Sequence, residues 1–196
     1  MRNILVVLGL LGLLVWPAAA NPLFQPGGAG GGEDAFTAES TPGTDPTATG
    51  TDAIGIGDTA VAGDAAGDLG ALAIGARSTS TGINSTAIGE NTDALGANSI
   101  AIGGEVDVAS ADATAPRAIA IGNNSLADAT NGLAIGVTAD AGGTDSIAFG
   151  SASNASATAA IAIGDNADAT GANSIAIGGN ATDADSADAT GASAIA

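Results

Sequence analysis

Apolar residues in this chain recur in short bursts, two positions apart and fenced by small residues. The burst reads apolar, Ala, apolar, Gly. It occurs as Leu72-Ala73-Ile74-Gly75, Ile100-Ala101-Ile102-Gly103, Ile119-Ala120-Ile121-Gly122, Leu133-Ala134-Ile135-Gly136, Ile147-Ala148-Phe149-Gly150, Ile161-Ala162-Ile163-Gly164 and Ile175-Ala176-Ile177-Gly178. Looser copies close at Gly57 and Gly89. The closing glycines are separated by 18, 14, 14, 19, 14, 14, 14 and 14 residues, so fourteen is the underlying repeat.

Fourteen residues also make two heptads, but a coiled coil needs apolar residues three and four apart. Ile175 and Ile177 are two apart, which is strand spacing. Glycine beside each burst would also cost a helix interior about 1 kcal/mol apiece. Each burst is therefore read as a short strand. Three and five residues after each closing glycine the side chains are small, as at Ser78 and Ser80, Thr92 and Ala94, Ser125 and Ala127, Ala167 and Ala169. Mostly polar residues stand between and beyond them, including Thr79, Asp93, Asp140, Asn154 and Asp168. That alternation predicts a second strand, small side in and polar side out. Gly82, Gly96 and Gly171, with Asn84, Asn98 and Asn173, are the turn residues, placed where positive φ is tolerated.

A coil of two short strands cannot stand alone, whereas coils stacked in parallel bond their backbones to one another. The expected fold is all-β: a parallel β-roll, or β-solenoid, of 14-residue coils. The isoleucine pair is expected to lie inside over the small pair of the second strand. The central alanine would then point outward and let another chain approach closely. So thin a core calls for such an additional interface.

Composition changes this picture in three ways. First, Met1-Arg2-Asn3, an apolar run from Ile4 to Trp16, and Pro17-Ala18-Ala19-Ala20 form the pattern of a secretory signal peptide over residues 1–20. The mature chain is expected to begin near Asn21 and to be exported. Second, with Arg2 removed, Arg77 and Arg117 stand against 21 carboxylates. Such a surface repels nucleic acid and anionic lipid, so neither is an expected partner, and no direct membrane contact is expected of this segment. Third, histidine, cysteine, lysine and tyrosine are absent. Serine or aspartate without an activating neighbour makes no nucleophile, so the reading is of a non-enzyme with no catalytic residues, no cofactor and no metal.

Residues 21–52 carry Pro22, Pro26, Pro42 and Pro46 with a glycine cluster and no periodicity, and read as a flexible leader. The repeats occupy residues 53–196. Extra residues around Asp64 to Gly70, Asp107 to Asp112 and Asp183 to Asp188 must leave the roll as surface loops. Asp183, Asp185 and Asp188 have the chemistry of a Ca²⁺ cluster, but solvated charge is the better reading.

Asn98-Ser99-Ile100-Ala101-Ile102-Gly103 and Asn173-Ser174-Ile175-Ala176-Ile177-Gly178 resemble the head-repeat motif of YadA-like trimeric autotransporter adhesins. The resemblance implies a left-handed parallel β-roll, a homotrimer, a place on the cell surface outside the outer membrane, and a role in attachment and cell–cell aggregation. Collagen or other extracellular matrix proteins are the partners it implies. It carries Asn98, Ser99, Asn173 and Ser174 over as ligand-contact candidates. Ile100, Ala101, Ile102, Gly103, Ile161, Ala162, Ile163, Gly164, Ile175, Ala176, Ile177 and Gly178 are its structural repeat positions. The family's coiled-coil stalk and membrane barrel have no counterpart in this pattern. The chain stops at Ala194-Ile195-Ala196, part-way through a tetrad, as expected of a piece of a longer protein. The competing reading is a structural or ice-binding secreted β-solenoid, suggested by Thr79, Thr81, Ser156 and Thr170.

Overall fold

In a computed structural model of the chain, the described residues are 25–26, 36–38, 45–63, 69–104, 110–179 and 186–196. The signal segment, Asp183 and Asp185, and most of the three expected surface loops lie outside them.

The tetrads form strands Ile54–Ile56, Leu72–Ile74, Thr86–Ile88, Ile100–Ile102, Ile119–Ile121, Leu133–Ile135, Ile147–Phe149, Ile161–Ile163 and Ile175–Ile177. Each pairs in parallel with the equivalent strand of the next coil. Register runs tetrad on tetrad: Ile100 lies beside Ile119, Ala101 beside Ala120 and Ile102 beside Ile121. The small-pair strands Thr47–Ala48, Val61–Ala62, Thr79–Ser80, Asp93–Ala94, Asp112–Ala113 and Leu126–Ala127 build a second parallel sheet of six. Single bridges through Asp140 and Asn154 continue that ladder to Asp168–Ala169 and Asp188–Ala189. The chain is thus a parallel β-solenoid of 14-residue coils, as the periodicity predicts.

Its interior is the reverse of the expected one. The tetrad alanines Ala73, Ala87, Ala101, Ala120, Ala134, Ala148, Ala162 and Ala176 are fully buried. The small residues Ser78, Ser80, Thr92, Ala94, Ser125, Ala127, Ala167 and Ala169, in the small-pair strands or one residue before them, are buried as predicted. Among the described residues no fully buried side chain is larger than threonine. The isoleucine pairs point outward and are half-buried or exposed: Ile54, Ile163 and Ile177 are exposed, the last at 60%. The cause is geometric. Two strands joined by turns within fourteen residues lie too close for side chains as large as isoleucine between them, so the side chains of alanine, serine and Thr92 fill the gap and the bulky residues take the open side.

The turns follow the prediction for asparagine and depart from it for glycine. Asn84, Asn98 and Asn173 have φ of 54°, 58° and 57°. Ser99 N–H donates to Gly96 O at 3.1 Å and Ser174 N–H to Gly171 O at 3.1 Å, closing four-residue turns whose third residue needs positive φ. Gly82, Gly96 and Gly171 are not in that conformation. They provide clearance instead: an added Cβ on Gly96 would stand 1.9 Å from Ala115 O in the next coil.

The roll also begins earlier than residue 53. Phe36–Ala38 pairs in parallel with Ile54–Ile56, and Thr47–Ala48 with Val61–Ala62, within the segment read as a leader. Gln25–Pro26 then lies antiparallel to Phe36–Ala38 at the outer edge of the tetrad sheet. Proline has no N–H to offer a further strand, which is the expected chemistry of an edge.

Candidate functional site

Three surfaces run along the solenoid. The first is apolar and belongs to the tetrads. The outward residues form two parallel columns. One holds Ile54, Leu72, Thr86, Ile100, Ile119, Leu133, Ile147, Ile161 and Ile175. The other holds Ile56, Ile74, Ile88, Ile102, Ile121, Ile135, Phe149, Ile163 and Ile177. Strand spacing puts successive members about 4.8 Å apart, giving a stripe roughly 40 Å long. No charged residue stands in either column. The sequence reading places these residues inside and so misses this apolar surface. A signal was available: the enclosed position admits only Ala or Gly from coil to coil, while the isoleucine positions also admit Leu, Thr and Phe.

The second surface is the outer side of the small-pair sheet, and it is acidic. Asp93 and Asp112 are register partners on adjacent strands, as are Asp168 and Asp188. Burial pushes the Asp93 carboxyl above the usual carboxylate range, against a lowering hydrogen bond from Thr79. Burial, and then the charge of Asp93, raise Asp112, opposed by a hydrogen bond from Ser110. Burial and the charge of Asp128 raise Asp140. Thr79 is stacked on Asp93 rather than on another threonine, so the regular threonine array an ice-binding face requires is broken there. Among the described residues no group of three or more His, Cys, Asp or Glu is positioned to hold a metal. No helix among them is long and apolar enough to cross a membrane.

The third surface is the pair of turn columns. Asn98 and Asn173 are exposed there, while Ser99 and Ser174 are fully buried. The four motif residues carried over as ligand candidates therefore divide: the asparagines can touch a partner, and the serines line the core. Along this edge Asn131 donates to Asp145 at 2.6 Å, and Arg117 donates to Asn131 at 2.6 Å. In the other turn column Arg77 donates to Asn91 and forms an ion pair with Glu90, both at 2.6 Å. The structural positions Ile100, Ala101 and Ile102, with their equivalents at 161–163 and 175–177, sit in register in the tetrad sheet, and Gly103, Gly164 and Gly178 each follow its strands with positive φ.

An uncharged stripe, an acidic ladder and repeated amide-bearing turns, all at one spacing, define a repetitive β-solenoid with three chemically distinct faces. The profile of the YadA head domain repeat matches residues 69–92, 80–105, 113–139, 141–167 and 156–181, more than half of the chain. The chain belongs to this family, which is one of adhesin-type heads. No curated protein matches it.

Proposed function

We propose that the chain is the head segment of an exported homotrimeric adhesin. It is held at the cell surface and mediates attachment to matrix proteins or other surfaces and cell–cell aggregation, without enzymatic activity. The observation that carries the reading is the double apolar column. Among the described residues its side chains are only partly covered, yet they run uncharged along a molecule with a formal net charge of −18. A second copy offers a surface of the same length, spacing and polarity, and three copies around one axis cover all their stripes together. Burial there supplies the apolar area that the alanine and serine core lacks.

Closing the stripes inward leaves the acidic ladder and the turn columns facing solvent. Identical turns repeated on several coils and several chains bind by avidity, so weak contacts add. Asn98 and Asn173 are the contact residues proposed from the motif. Acidity selects neutral or cationic partners, a property that basic stretches of collagen would satisfy.

The test is surface display of the chain fused to an anchor, followed by solid-phase binding to collagen, fibronectin and laminin and by a settling assay for agglutination. Binding reduced at least tenfold by Asn98→Ala with Asn173→Ala is expected. Absence of both binding and agglutination in the displayed parent chain would overturn the adhesive role.

A further inference from the structure

A uniform double column of isoleucine carries no information about position. Two copies laid along it in parallel could slide by one coil, about 4.8 Å, and meet the same pattern again with only the end overlap lost. The columns are not uniform, however. Thr86 interrupts the first, flanked in register by Leu72 and Ile100. Phe149 interrupts the second, flanked by Ile135 and Ile163, and is 51% exposed.

We propose that Thr86 and Phe149 are register keys of the homo-oligomer: they align the copies coil for coil and prevent slippage along the apolar face. This rests on the reading of that face as the seam between copies. In register, the Thr86 hydroxyls of all copies meet at one level and can donate to one another. After a slip of one coil each hydroxyl is enclosed by leucine or isoleucine from its neighbours and loses its partner, an unsatisfied buried group. A lone polar residue in an apolar coiled-coil seam selects register by the same physics. Phe149 acts through shape. Aligned rings share one level and can pack edge to face, whereas a slipped ring must enter a rung dimensioned for isoleucine.

The two keys also discriminate orientation. Counting coils by their closing glycines, Thr86 is in the third of nine and Phe149 in the seventh. Two copies laid head to tail with full overlap would set the threonine coil of one against the phenylalanine coil of the other. Parallel, coil-for-coil alignment is the one arrangement that matches both.

The chain has no cysteine, so a single spin label can be placed at Ser156→Cys on the exposed side and distances between copies measured by pulsed electron spin resonance. One narrow distance is expected for the labelled parent. Adding Thr86→Ile and Phe149→Ile, which leaves only isoleucine and leucine in both columns, should yield additional distances from copies offset by one or more coils, with the circular dichroism unchanged. Thr86→Val, nearly identical in shape, carries the same readout if the double variant misfolds, and should broaden the distribution less. A single narrow distance retained in the regularised variant would overturn the register role and leave the seam standing. A broad distribution in the parent would do the same. A monomer in sedimentation, without dipolar coupling, would overturn both.

Discussion

At the scale of the residue, the fold depends on side chains that are nearly absent. Gly150 has φ of 142°, and a Cβ placed there would lie 2.1 Å from Gly164 O in the next coil. Conformation and clearance exclude every other residue. Gly142, by contrast, has ordinary φ, and an added Cβ would meet nothing nearer than 3.5 Å. Gly150→Ala is expected to destabilise the chain by about 3 kcal/mol, combining backbone strain with displacement of the neighbouring coil. Gly142→Ala should change stability by less than about 0.5 kcal/mol. Urea unfolding of the two variants beside the parent checks the contrast, and equal midpoints would refute it. Position 152 shows the opposite economy: Ala152 adopts φ of 53° without the amide that makes asparagine comfortable there, so its cost is borne by the surrounding ladder.

Elements bring the acidic side chains into register, and their titration is a property of the ladder. Asp93 and Asp112 are ordinary surface aspartates in sequence. They become neighbours because parallel in-register pairing stacks like on like. Their carboxyls, with that of Asp140, are raised in the folded chain, chiefly by burial. The native state therefore binds protons more readily than the unfolded chain, so stability falls as pH rises through the raised values. It is regained on acidification toward the ordinary carboxylate range. The melting temperature is expected to be higher at pH 4.5 than at pH 7. Asp93→Asn with Asp112→Asn should raise the pH 7 value and flatten the dependence. A melting temperature that falls steadily between pH 7 and pH 4.5 would contradict this account.

Over the whole molecule, the apolar groups divide into a sealed core of small residues and an open stripe of large ones. Substitutions on the two should fail in different ways. Ala134→Val places two further methyl groups in an interior that admits only the smallest side chains, and should destabilise each chain by about 2 kcal/mol. Ile135→Ser, one residue away, lies on the stripe. It should leave the far-ultraviolet spectrum of the chain intact while weakening association, read as a shift toward smaller species in analytical ultracentrifugation. If Ile135→Ser unfolds the isolated chain and Ala134→Val does not, the assignment of inside and outside is wrong.

The repeat length, the choice of strand over helix, the tetrad-on-tetrad stacking and the asparagine turns were all legible in the sequence, because each rests on spacing or on the local preference of one residue. The small-pair strand was legible too, since its polar partners declare which side is wet. The orientation of the tetrad was not. A strand of period two has two faces, and in Ile100-Ala101-Ile102 both are apolar, so alternation cannot say which is enclosed. Closure of a fourteen-residue coil decided it, by leaving room between the strands for alanine and none for isoleucine. Tertiary pairing likewise drew Phe36 and Thr47 into the roll despite the prolines around them, turned Ser99 and Ser174 inward from the motif they share with Asn98 and Asn173, and set the aspartates in a column. Local chemistry determined the coil; the distance between its two strands determined what it shows to a partner.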